Sequence, residues 1–252
     1  MRHIALTLLA HPDDAEILCG GTLIRLVAAG YDIHIATMTP GDCGTMKTDA
    51  WDISSIRTKE ARKAAATIGA TYHCLDERDG YVVYDKPSLH KVIELFRRVG
   101  PTLVFTHTPL DYMMDHVQAG FLARAASFIF GAPNISVTPL PPEAKIPHLY
   151  YCDPIEGIDP LGNRVAATTH IDVTQVMDKK LAMLSCHESQ RAWLRDHHGM
   201  DEYLESTKRA AVARGKEINV QYAEGFTQHR GHAYPANDIL QETLEIVKSS
   251  SR

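Results

Sequence analysis

Four short apolar runs, near residues 3–10, 31–39, 71–75 and 101–107, alternate with amphipathic stretches at 16–29, 54–69 and 87–99, and this alternation constrains the fold most. Short apolar runs bounded by turn residues read as strands buried on both faces, and the stretches between them read as crossover helices. Successive βαβ units of this kind form a parallel sheet. The spacing therefore predicts an α/β fold: a Rossmann-like, doubly wound, mostly parallel sheet with helices on both faces. Gly30, Gly69 and Gly100 close the three helical patterns, and Ser54 or Ser55 is the expected N-cap of the second. Beyond a proline-rich connection at 131–147, strands are expected at 148–152 and near 167–172, and helices at 174–186, 188–197 and 201–214. No repeat or long linker divides the chain, so residues 1–252 are expected to form a single domain. Its C-terminal subregion should cover the strand C-terminal ends, with polar residues of the glycine-flexed segment 222–232 closing over them.

Composition narrows the partners. A net charge of -5 with 23% charged residues offers no polycation for nucleic acid, so none is expected as a partner. No run reaches the eighteen or so apolar residues of a membrane span, and no signal-peptide pattern follows Met1, so a cytoplasmic protein without membrane association is expected. The five cysteines are widely spaced and lack a C-x-x-C pair, which argues against a disulfide framework or a thiolate zinc knot.

The chemistry gathers at strand ends, where ligands of doubly wound sheets bind. His11-Pro12-Asp13-Asp14 follows the first apolar run, and the fourth run, Leu103 to His107, leads into Asp111-Tyr112-Met113-Met114-Asp115-His116. Two histidines and one carboxylate are a standard hydrolytic zinc set, and His11, Asp14 and His116 supply it. Asp13 then stands beside a ligand as the candidate general base, and Asp115 as a partner that orients an imidazole. Each element also has a plainer reading. His-Pro-Asp-Asp alone suits a polar turn, and Asp115-His116 a helix start. Arg57 is an ordinary surface charge paired with Glu60 or an anchor for a substrate hydroxyl or carboxylate. His187, His197 and His198 read as solvated helix residues, whereas His107, His229 and His232 fall on segments expected to face the crevice. Trp51, Tyr81 and Tyr84 stack on a sugar ring or simply pack, packing being the simpler use. The chain lacks G-x-S-x-G, G-x-x-x-x-G-K-[ST] and H-E-x-x-H, and no G-x-G-x-x-G follows the first strand.

Together these residues resemble the LmbE-like, or PIG-L, zinc-dependent N-deacetylases. Ala10-His11-Pro12-Asp13-Asp14-Ala15-Glu16 is similar to the family's A-H-P-D-D-E opening with one extra residue before the Glu, and Gly41-Asp42-Cys43-Gly44 resembles its G-[DE]-x-G loop. Arg57-x-x-Glu60 resembles its R-x-x-E helix, and the segment from His107 to His116 its second metal segment. Lys180, Ser189-Gln190 and Ala223-Glu224-Gly225-Phe226 resemble supporting positions near the C-terminus. The resemblance implies one Zn2+ per subunit on His11, Asp14 and His116, with Asp13 as base. It implies removal of an acetyl group from an N-acetylglucosamine-type sugar or conjugate. Arg57, Asp42 and Asp111 are expected to bind that substrate, and a homo-oligomer is expected. One departure matters: the family's H-P-D-H segment reads Met113-Met114-Asp115-His116 here. Its first histidine serves the oxyanion or acts as an acid, which methionine cannot do. Zinc is expected to provide most of the oxyanion stabilisation, with a crevice histidine, His229 or His107, assisting. The alternatives are a thiol-conjugate amidase of the same family and a non-catalytic metal- or sugar-binding relative.

Overall fold

The computed structural model describes residues 3–192 and 202–250. His197, His198 and the later part of the helix expected at 188–197 lie outside the described residues. Among the described residues seven strands form one sheet: β1 (Ile4–Leu9), β2 (Asp32–Thr37), β3 (Thr71–Cys74), β4 (Leu103–His107), β5 (His148–Cys152), β6 (Thr169–Asp172) and β7 (Ala223–Gln228). Their order is β3-β2-β1-β4-β5-β7-β6. The first five are parallel, and β7 runs antiparallel between β5 and β6. The expected mostly parallel α/β sheet is the one observed.

The helices are α1 (Asp14–Leu18), α2 (Gly20–Ala28), α3 (Ala50–Ala66), α4 (Lys86–Val99), α5 (Met114–Ile129), α6 (Met177–Leu184), α7 (Glu202–Glu217) and α8 (Ile239–Ser250). They sit on two faces. Alternate residues of β1 enter separate cores: Ala5 and Leu9 pack with Leu23, Ala64, Met183 and Leu240, while Leu6 and Leu8 pack with Val92, Phe96, Leu122 and Ala126. Burial on both sides explains why the strand reads as a continuous apolar run.

Three local expectations are corrected. The helix expected at 16–29 is two helices, because Cys19 (φ -143, ψ 11) breaks it and the amides of Gly21 and Thr22 are capped by the Glu224 carboxylate at 2.8 and 2.7 Å. The N-cap of α3 is Asp49, not Ser54 or Ser55; its side chain accepts the Asp52 amide, so the helix starts earlier than expected. Residues 223–228 do not close over the strand ends. They form β7, which pairs antiparallel with β5 and β6 within the sheet.

The order reverses between β1 and β4, neighbours that lead to loops on the same edge of the sheet. The gap at such a reversal is the natural crevice of a doubly wound fold. The loops after both strands meet there.

Candidate active site

His11 and Asp14 come from the turn after β1, and His116 from the first turn of α5. One ligand atom from each lies within 4.8 Å of the others, and all three residues are buried. His11 Nε2 is 3.2 Å from Asp115 Oδ2, leaving Nδ1 facing Asp14 Oδ2 at 3.6 Å. His116 Nδ1 is 2.9 Å from Asp111 Oδ1, leaving Nε2 facing Asp14 Oδ1 at 3.6 Å. Each imidazole is thus fixed by a carboxylate at one nitrogen and offers the other toward Asp14, the arrangement that orients histidines for a metal. Asp115 orients His11 rather than its neighbour His116. Asp111 orients His116 and is buried, so its expected place on the substrate becomes one behind the ligand set.

The electrostatics agree with a cation site. Burial pushes His11 down, but hydrogen bonds with Asp115 and Asp14 win and raise it to about 10. Burial would likewise lower His116, but Asp14 and Asp111 raise it. Burial pushes Asp14 up, yet the imidazoles of His116 and His107 hold it well below the usual carboxylate range. Clustered carboxylates that draw protons onto two imidazoles would favour a divalent cation at the same place. The donor set, two nitrogens and one carboxylate, fits zinc or a similar transition ion.

Asp13 sits beside this set in a left-handed backbone conformation (φ 108, ψ -25), unusual for a residue with a side chain. Arg57 Nη2 donates to Pro12 O at 2.7 Å and lies 3.3 Å from Asp13 Oδ2. The Tyr203 hydroxyl, on α7, donates to the same oxygen at 2.7 Å. Arg57 is therefore a buried brace of the Asp13 turn, and Glu60 does not pair with it: Glu60 accepts the amide and hydroxyl of Ser189 at 2.8 and 2.6 Å. Burial raises Asp13 against the opposing pull of Arg57 and Tyr203. Gly41 lies against Arg57 with φ 81; a Cβ there would meet the guanidinium at 2.4 Å, so the arginine needs that glycine.

The remaining expected site residues fall elsewhere. His107 is fully buried beneath the ligand set, stacked on His116 with ring centroids 3.9 Å apart and 3.1 Å from Asp14. Burial and His116 hold it down at about 4, hence neutral. It supports the set from behind and does not reach the cleft. His229 is not brought to the site at all. Because β7 is antiparallel, the His229 amide donates to Leu149 O at the start of β5, the edge of the sheet opposite the crevice. Asp42 accepts the Asp79 amide at 2.8 Å and pairs with Arg78 at 3.1 Å, at the rim of the crevice. His187 is buried near Glu16, 3.5 Å away, rather than solvated. Trp51, Tyr81 and Tyr84 are exposed, not packed.

A cleft of about 710 Å³ opens onto His11, Asp13, Asp14 and His116, with Tyr112, Met113 and Tyr203 in its walls. Tyr203, Asp79 and Tyr112 were not singled out in the sequence as site residues. Tyr112 stands edge-on to His116 with centroids 5.6 Å apart. Burial and the charges of Asp14, Asp111 and Asp13 push its phenol to about 12, so it keeps its proton.

A profile described as PIG-L, GlcNAc-PI de-N-acetylase, matches residues 6–127, the stretch that holds both metal-facing loops. That stretch, residues 6–127, is the part of the chain that matches the PIG-L family. The family is one of de-N-acetylase hydrolases. The diacetylchitobiose deacetylase of Thermococcus kodakarensis is 28% identical over 86% of this chain and 79% of its own length. The 4-oxalmesaconate hydratase of Pseudomonas putida is also 28% identical, over 88% of this chain and 87% of its own. The solved N,N'-diacetylchitobiose deacetylase of Pyrococcus horikoshii superposes with a TM-score of 0.78 at 25% identity, covering 94% of this chain and 88% of that one. The matched stretch runs from β1 into α5, and the later elements complete the sheet and cleft. Among the described residues no helix is long and apolar enough to cross a membrane.

Proposed function

We propose that the protein is a zinc-dependent hydrolase that removes the acetyl group from an N-acetylglucosamine-type sugar or conjugate. His11, Asp14 and His116 would hold the zinc. When bound, zinc lowers the pKa of water and polarises the amide carbonyl. Asp13 then takes the proton of the attacking water and passes it to the leaving amine. Arg57 and Tyr203 hold Asp13 in its strained turn and aim it into the cleft. Tyr112, one residue from Met113 and protonated at neutral pH, donates to the developing oxyanion in place of the absent histidine. His107 keeps the ligand set in position from beneath.

The observation that carries this reading is the charge of the cleft wall around the metal-facing set. Among the described residues, Asp13, Asp14, Asp79 and Glu156 line it with one guanidinium, Arg57, so a divalent cation on His11, Asp14 and His116 would leave the wall close to neutral. A neutral acetamido sugar suits such a cleft, which offers a polycarboxylate one guanidinium and no excess of positive charge. The hydratase of similar identity supports a second reading, addition of water across a carbon–carbon double bond by the same base. The two separate in one experiment. Amine release from a panel of N-acetylated sugars, with and without a chelator, is measured beside the absorbance change of 4-oxalmesaconate. Chelator-sensitive amine release is expected. Hydration without amine release would replace the first reading by the second, and neither activity in zinc-loaded protein would favour a non-catalytic role.

A further inference from the structure

A second cluster of ligand atoms stands at the mouth of the cleft, on the loops after β2 and β3. Asp42, Cys43 and Asp79 each bring one donor atom within 4.8 Å of the others. Asp79 Oδ2 accepts the Cys43 amide at 2.9 Å, and Asp42 Oδ1 accepts the Asp79 amide at 2.8 Å, so backbone bonds fix both carboxylates. Asp79 Oδ1 is left buried without a hydrogen-bond partner, in a residue only 7% exposed. It belongs to the cleft wall, and His11 Nε2 lies 3.9 Å away, within ion-pairing distance but beyond hydrogen-bond reach. A buried carboxylate oxygen that accepts no hydrogen bond is costly even beside an imidazole, and a cation bound at closer range would offset that cost. Cys43 is a free thiol exposed at the same wall. Burial and the carboxylates of Asp42 and Asp79 push it up, so the thiol keeps its proton while the cluster is metal-free.

We infer that Asp42, Cys43 and Asp79 form a second site for a divalent transition cation, distinct from the His11, Asp14 and His116 set. One thiolate with two carboxylates selects zinc, cobalt or cadmium over magnesium or calcium. As the sulfur–metal bond forms, the S–H bond breaks and its proton leaves to solvent, with no change of oxidation state. Arg78 pairs with Asp42 Oδ2 at 3.1 Å, but its side chain is 67% exposed, so it swings outward as the ion takes its place. An ion held there narrows the entrance, because Cys43 and Asp79 are both part of the cleft wall.

The test is titration of the metal-stripped full chain with Co2+, following ions bound and thiolate-to-cobalt charge-transfer absorption in the near ultraviolet. The wild type is expected to take up two ions, one of them giving the band. Cys43→Ser and Asp79→Asn should each lose that ion and its band while keeping the other, which also shows that the variants fold. Arg78→Ala should tighten the thiolate-bearing ion about fivefold, the size of a screened surface charge. No band in the wild type, or a band that survives Cys43→Ser, overturns the inference. A wild type binding one ion with the band, and a Cys43→Ser variant binding none, would sustain the second site and remove the metal from the proposed deacetylase centre.

Discussion

Asp13 and its two supports decide what the site does, and each makes a separable prediction. Asp13→Asn removes the proposed base and should lower kcat about 10²- to 10⁴-fold while leaving zinc content unchanged, measured by steady-state kinetics and metal analysis. Tyr203→Phe keeps the base but removes the hydroxyl that donates to it at 2.7 Å. That hydrogen bond lowers the Asp13 pKa, so its loss raises it, and the acid limb of kcat/KM should move to higher pH. An unshifted limb would mean that Tyr203 only packs. Tyr112→Phe should cost about 10²-fold in kcat with little change in KM if its hydroxyl serves the oxyanion. At this scale the sequence exposed His11, Asp14 and His116 because each lies within a few residues of a strand end. Tyr203 was hidden because it meets Asp13 across 190 residues with no local pattern. His229 looked equivalent to His107 because its segment reads as a glycine-flexed stretch over the crevice and not as a strand antiparallel to β5.

The helices that position these residues were legible where local chemistry marks their ends. Gly100, in the left-handed region at φ 64, ends α4, and Asp85 caps its start by accepting the Ser88 amide. Helix α5 went unread beyond its first residues because Met113 gives no capping hydrogen bond, and small residues blur its apolar face. Those small residues have a purpose. A Cβ on Gly120 would lie 2.5 Å from the His107 carbonyl oxygen, so α5 packs against the end of β4 only with glycine there. Gly120→Ala should cost about 1–3 kcal/mol and lower Tm by several degrees in a thermal melt. A neutral result would show that α5 can slide without cost. At the other edge of the sheet, His34 Nδ1 and His73 Nε2 lie 2.9 Å apart on β2 and β3. Burial first, then His34 and Arg98, lower His73 from 6.5 to about 4. The unfolded chain therefore binds this proton more readily, and stability present above about pH 6.5 falls away as pH drops toward 4. His73→Gln should flatten that slope in urea titrations, and an unchanged slope would place the acid sensitivity elsewhere.

Across the whole molecule, the C-terminal part of the chain is tied into the sheet begun by the N-terminal part, and one buried ion pair links three elements there. Lys180 Nζ lies 2.6 Å from Glu224 Oε1 and donates to Ile17 O at 2.8 Å, while Glu224 also caps α2 through Gly21 and Thr22. Helix α6, strand β7 and the α1–α2 corner beside the metal-facing loop thus share one buried charge cluster. The resemblance of Lys180 and Ala223-Glu224-Gly225-Phe226 to family positions could be read in the sequence, but not that they meet, nor that they cap a helix some two hundred residues earlier. If residues 1–252 fold as a single domain, unfolding should be one cooperative transition seen alike by far-ultraviolet circular dichroism and tyrosine and tryptophan fluorescence. Lys180→Met leaves a carboxylate buried without its cation and should move that whole transition by about 3–5 kcal/mol. Adding Glu224→Gln to it should recover part of the loss, since the amide oxygen still accepts one of the two α2 amides while the unpaired charge is gone. Recovery requires that the cost arises from the stranded charge. Equal stability of the single and double variants would instead assign the cost to lost packing around the lysine stem, and two separate transitions would divide the chain into independently folding parts.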